Sequence, residues 1–149
     1  MPFKSVRLAV GLAVCLAVFL AMPAWAHHSH GAYVAGANDT HLEGVVQEVR
    51  LINPHSWIYV EVKNEKGEPE VWALEATGPA GIERSGVKKG DVRAGDTIKV
   101  RCNRLKDGSN GCLLGFVTPT HGDKARGDGI EKDWDGPRAG ADPRITLAK

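Results

Sequence analysis

Three of the six histidines in this 149-residue chain, His27, His28 and His30, fall within four positions of one another. Their setting gives that spacing a chemical meaning. Residues 1–26 carry Lys4 and Arg7 and no acid, then an apolar run from Leu8 to Met22, then Pro23 and the small-x-small pattern Ala24-Trp25-Ala26. This is the pattern of a secretory signal cut after Ala26. Cleavage there makes His27 the new N-terminus, where the α-amine and the ring Nδ1 close a six-membered chelate on one metal ion. Copper(II) favours nitrogen donors in a tetragonal plane, so one or two further imidazoles complete a site. His28 and His55 are the first candidates, with His30, His41 and His121 behind them. Zinc is the competing metal. The plainer alternative is a solvated His-rich end that holds metal only weakly.

His55 belongs to Asn53-Pro54-His55-Ser56-Trp57, which opens a strand. With a period of two, His55, Trp57 and Tyr59 share one face, leaving Ile58, Val60 and Val62 for the core. Trp57, Tyr59 and Trp72 then form a candidate ligand face for a periplasmic protein or a small ligand, a second class of function; buried, the same rings are packing. No nucleophile elbow or triad is present, because Ser56 and His55 are strand neighbours pointing to opposite faces. Nor is there a Gly-rich phosphate loop. Glu43, Glu48, Glu61 and Glu75 are spaced as solvated strand positions. An enzyme has only the copper site to support it, so the residues read as a binding protein before a catalyst.

Export also governs the cysteines. Cys102 and Cys112 each lie five residues from Asp107, so a hairpin centred there sets them opposite one another. In an oxidising compartment a disulfide is the leading expectation, worth roughly 2–3 kcal/mol for so short a loop. A redox pair or thiolate metal site lacks the Cys-x-x-Cys spacing. Removing 26 residues from 149 leaves 123, and the loss of Lys4 and Arg7 takes 19 basic residues to 17 against 18 acidic. A near-neutral exported chain is a poor match for nucleic acid. After cleavage no apolar run approaches the roughly 20 residues of a membrane span, so the expected location is the periplasm or outside the cell, with no membrane partner.

The elements that must position these groups follow from alternation and turns. Residues 27–40 form an irregular His-rich arm. Leu42–Arg50, with Gly44 marking a bend or bulge, Ser56–Lys63, Glu70–Ala76, Thr97–Leu105 and Gly111–Thr118 read as five strands, and a short helix follows Gly78-Pro79 and ends near Gly86. That order in about 80 residues predicts an all-β, OB-like Greek-key barrel over 41–121, with an open meander or small sandwich as the alternative. Ile58, Val60, Val62, Leu74, Val100 and Leu114 are its expected core. Residues 122–149 hold 12 charged residues and only Ile130, Trp134, Ile145 and Leu147 as bulky apolars. A mobile tail is expected there. Arg126-Gly127-Asp128 spells an adhesion tripeptide, to which a charged Gly-rich setting lends no weight.

Ala26-His27-His28-Ser29 after a signal, Asn53-Pro54-His55-x-Trp57 entering a strand, Trp72 with Glu75 in the next, and Gly95-Asp96 before the fourth together resemble a group of small exported bacterial proteins carried as a domain of unknown function. The resemblance spans roughly residues 21–120. It implies an exported small β-barrel and brings no activity, ligand or catalytic residue. Cys102, Cys112 and the charged tail stand outside it.

Overall fold

The computed structural model describes residues 29–36 and 38–136. Six strands occur among them, β1 (Thr40–Arg50), β2 (Ser56–Lys63), β3 (Pro69–Ala76), β4 (Thr97–Arg104), β5 (Gly111–Pro119) and β6 (Lys132–Asp133), with one short helix, α1 (Pro79–Arg84). The sheet runs β3-β2-β1-β4-β5-β6, and a parallel β3–β5 pairing closes its first five strands into a barrel. All other pairs are antiparallel. The five-strand order with a helix between β3 and β4 is the OB-like barrel expected from the alternation, and the meander and sandwich alternatives fall away.

Period two fills the interior. Ser56, Ile58 and Val60 on β2, Trp72, Leu74 and Ala76 on β3, and Ile98, Val100 and Cys102 on β4 all point inward and are buried. Val62, expected in the core, is partly buried against it. The bulge in β1 falls between Val46 and Glu48, not at Gly44. Gly44 has a different role: a Cβ there would run into the Glu61 carbonyl, so its hydrogen lets β1 lie close against β2.

Two expectations need correcting. The β4–β5 register sets Arg104 opposite Cys112 and Cys102 opposite Leu114, because the turn is centred on Gly108, at φ +81°, and not on Asp107, so the cysteines are not directly opposed. Their sulfurs nonetheless lie within disulfide-bonding distance, with Cα atoms 5.7 Å apart. The second correction concerns the charged segment from Gly122. Its first half is folded on the barrel: Trp134 is 3% exposed in the core, its N–H donates to the Gly115 carbonyl at 2.8 Å, and β6 pairs with β5. Residues 137–149 lie outside the described residues.

Ion pairs hold this segment to the connector between α1 and β4. Arg126 engages Asp96 through both guanidinium arms and donates to the Gly90 carbonyl at 2.9 Å. Lys132 donates to Asp91 at 2.6 Å and to the Gly86 carbonyl at 2.9 Å. Burial alone would raise the Asp91 and Asp96 pKa values, but hydrogen bonds from Lys132 and Lys88 to the first, and from Arg126 and Arg93 to the second, hold both below the ordinary 3.8.

Truncating Trp134 to Ala should cost about 3–5 kcal/mol of unfolding free energy in a urea titration, as for a buried aromatic that leaves a cavity. The clamps set an acid limit. A carboxylate with a depressed folded pKa contributes stability that is whole above its unfolded pKa and is lost as pH falls through the folded value. Amide exchange at Trp134 should therefore accelerate only below about pH 4, and D91N/D96N should remove much of that pH dependence.

A carboxylate-anchored histidine on the outer barrel face

Strand alternation sends His55, Trp57 and Tyr59 outward from the start of β2, since Ser56, Ile58 and Val60 point in. The cis Asn53–Pro54 turn leads into His55, and it lies against Gly78, where a Cβ would come 2.8 Å from the Pro54 carbonyl oxygen. On β3 the outward set is Val71, Ala73 and Glu75. Glu75 pairs across to Trp57 on β2 and to Leu113 on β5.

Glu75 was expected to be solvated and is not: its side chain is 8% exposed. The cover comes from the N-terminal arm. The arm backbone adds to the end of β4, with the Val34 N–H donating to the Arg104 carbonyl at 2.8 Å and the Lys106 N–H to the Ala32 carbonyl at 3.0 Å. Tyr33, bridged to Leu105, turns its ring onto the barrel and is 7% exposed. Its hydroxyl donates a short hydrogen bond to one Glu75 oxygen, and the other Glu75 oxygen meets Nδ1 of His55. Burial, then the hydrogen bond to Glu75 and its charge, push the Tyr33 phenol well above its ordinary range, so it stays protonated and remains a donor.

The carboxylate thereby fixes the imidazole. An ionised carboxylate has no proton to give, so in the neutral ring Nδ1 carries the hydrogen and Nε2 keeps the lone pair. The His55 side chain is 36% exposed. A ring whose outer nitrogen is a ligand and whose inner nitrogen donates to a carboxylate is the usual arrangement around a protein-bound metal.

Other candidates fall elsewhere. His27 and His28 lie outside the described residues, and His30 belongs to a 3-10 turn, Ser29–Ala32, three residues before Tyr33. His41 is an exposed residue on β1, opposite Arg101 in register. His121 is taken up with the connector: Nε2 lies 3.1 Å from the Asp91 carbonyl and Nδ1 accepts from the Asp123 N–H at 3.1 Å. Among the described residues no three His, Cys, Asp or Glu groups converge into a metal cage.

The aromatic face also changes. Trp72, expected on it, points into the barrel end and is buried at 7% exposure, with Arg104 over its ring at 5.0 Å. Trp57 and Tyr59 stay on the outer face, half-buried and stacked at 6.5 Å, with Arg50 over Tyr59 at 5.2 Å. Two residues without a role in the expected site, Tyr33 and the carboxylate of Glu75 expected in solvent, hold it together. Tyr33 is the one large ring in an otherwise small and polar arm, which is the signal that it docks.

The fold and site define a small OB-type barrel with a docked N-terminal arm and a carboxylate-held histidine on its outer face. The chain belongs to a family of unknown function, DUF6152, whose model matches residues 15–114, from before the arm to the middle of β5. No curated protein and no solved structure gives a match.

Changing Tyr33 to Phe keeps the ring and removes one of the two partners of a buried carboxylate. Unfolding free energy should fall by about 1–3 kcal/mol, and exchange at the Val34 and Lys106 amides should accelerate more than at the barrel core. Equal acceleration throughout would mean that the hydroxyl does not hold the arm.

Proposed function

We propose that the chain is exported, is cut after Ala26, and binds copper(II) in the periplasm through the His27 amine and imidazole, with His55 Nε2 or His28 as a further ligand. The observation that carries the reading is the shared carboxylate: Glu75 anchors both Tyr33 of the arm and the ring of His55. His27 lies six positions before Tyr33, and with Ser29–Ala32 in a 3-10 turn the new terminus is tethered within about 15 Å of Tyr33, which shares Glu75 with His55. Copper is preferred over zinc because an amine-plus-imidazole chelate supplies in-plane nitrogen donors. The role is metal binding or handling.

A second reading has narrower support. The stacked Trp57–Tyr59 pair beside His55 offers a small aromatic face to a periplasmic protein or small ligand. It no longer includes Trp72.

Mass spectrometry of the exported protein should give a chain beginning at His27. Titrating copper(II) into that species and into a variant with one extra Ala before His27 should show more than a tenfold loss for the extension, which keeps every imidazole and removes the terminal chelate. E75Q should weaken binding by about 10–100-fold, as the loss of a carboxylate behind a ligating imidazole does. Affinity should fall below about pH 6.5, where amine and imidazoles take up protons. A different natural terminus, or equally weak binding by the natural and extended chains, overturns the reading.

A further inference from the structure

A second site lies at the helix end of the barrel, beside the turn that leads into His55. There a cleft of about 1040 Å³ opens between the end of β1, α1 and the connector that precedes β4. Its volume is at the upper end of small-molecule sites, roughly 300–1,000 Å³. Its walls are mostly apolar, with Val49 and Leu51 from β1 and the loop after it, Ile82 from α1, Val92 from the connector, and Trp134 from the folded C-terminal segment. Leu51 and the adjacent Ile52 are 36% and 51% exposed, so apolar surface continues past the mouth.

The charges are not spread evenly. Lys88, Lys89 and Arg93 all come from the connector and line one side. Against them stand Glu48 and Glu83, and Glu48 already has both oxygens engaged by Arg50, at 2.7 and 2.9 Å. The uncompensated charge along that side is positive, while Val49, Leu51 and Ile82 face it with none. One end of a ligand thus meets cations and the rest meets aliphatic surface offered by Val49 and Leu51, with Ile82 and Trp134 buried beneath it.

We propose that this cleft binds a single-chain anionic amphiphile, a carboxylate with a long alkyl tail, with its head among Lys88, Lys89 and Arg93 and its tail along Val49 and Leu51, above the buried Ile82 and Trp134. Charge selects this occupant over the chain's own residues 137–149. That segment continues from Gly136, which packs against Thr77 and Gly81 near the cleft, but it carries Arg138, Arg144 and Lys149 against a single acid, Asp142. Like charge opposes its entry.

The test is a two-dimensional amide NMR titration of the full exported chain with sodium dodecanoate below its micelle concentration. Saturable one-to-one shifts should appear at residues 82–93 and at the Trp134 indole N–H. Dodecyltrimethylammonium, with the same tail and the opposite head, should bind at least tenfold more weakly. Neutralising the rim with K88Q/K89Q should weaken dodecanoate by about tenfold at low salt, two charge contacts of ordinary surface strength, and L51D should weaken it with the thermal midpoint unchanged. Equal binding of both head groups, shifts located elsewhere, or no effect of the lysine changes overturns the proposal. Binding that appears only when the chain is stopped at Gly136 makes residues 137–149 the occupant. A dimer in sedimentation that L51D abolishes makes it a second copy.

Discussion

A barrel closes only when its last strand finds its first, and here the closure is a short parallel pairing of three residue pairs, Ala73 with Gly111, Leu74 with Cys112 and Glu75 with Leu113. That seam decides what lies beside what on the outer surface. It sets Glu75 between Trp57 on β2 and Leu113 on β5, beneath the docked arm. Covering a carboxylate without donors costs several kcal/mol, which its partners must offset. The donors come from outside the five strands: Tyr33 from the arm and His55 from the turn before β2. Docking of the arm and orientation of the imidazole are therefore one event, since each supplies half of what Glu75 needs.

The same seam explains why the Cys102–Cys112 pair sits where it does. Both sulfurs point inward in the hairpin whose outer end, Arg104 to Lys106, receives the arm backbone. Holding that hairpin keeps the docking edge at a fixed distance from Glu75. Where β3 runs into α1 the problem is different. α1 is only six residues long, too short to seal the core by itself, and the folded C-terminal segment supplies Trp134 as a further cover. Its ionic clamps involve Arg126 and Lys132, each about 20% exposed, and Asp91 and Asp96, each about 11%, so they are less screened than surface pairs. Two irregular segments, one from each side of the barrel sequence, thus complete a fold whose strands leave both surfaces unfinished.

That division also marks what could be read from the sequence. Strand β2 was legible to the residue, and the helix, the strand order and most of the core followed, because alternation and turn residues are local signals that act within a dozen positions. Glu75 was legible as outward-facing and misread as solvated. Alternation tells which face a residue takes and is silent on what later covers that face, and the cover here comes from a residue 42 positions away. Trp72 illustrates the converse, since it shares the inward parity of Leu74 but was grouped with Trp57 by residue type. Trp134 was lost in a window of charges, where composition outvoted a single ring. The cysteine register slipped because the hairpin turns about Gly108, whose positive φ suits the turn, one residue beyond the Asp107 centre that equal spacing suggested.

The chemistry of the outer site turns on which nitrogen of His55 remains available. With Nδ1 facing Glu75, a metal can be met only at Nε2, the more extended nitrogen, which keeps the carboxylate in the shell behind the ligand. That arrangement makes the imidazole a stronger donor and fixes its plane. Tyr33, protonated and spending its hydrogen on Glu75, is not free to act as a phenolate ligand. The barrel thus contributes one well-oriented nitrogen, and one nitrogen alone binds metal poorly. Under the proposed cleavage after Ala26, the arm's terminal amine and ring would supply two more donors in one chelate plane. A site divided in that proposed way, one rigid ligand on a strand and a chelate on a tethered end, would make affinity depend on processing of the chain as much as on its fold.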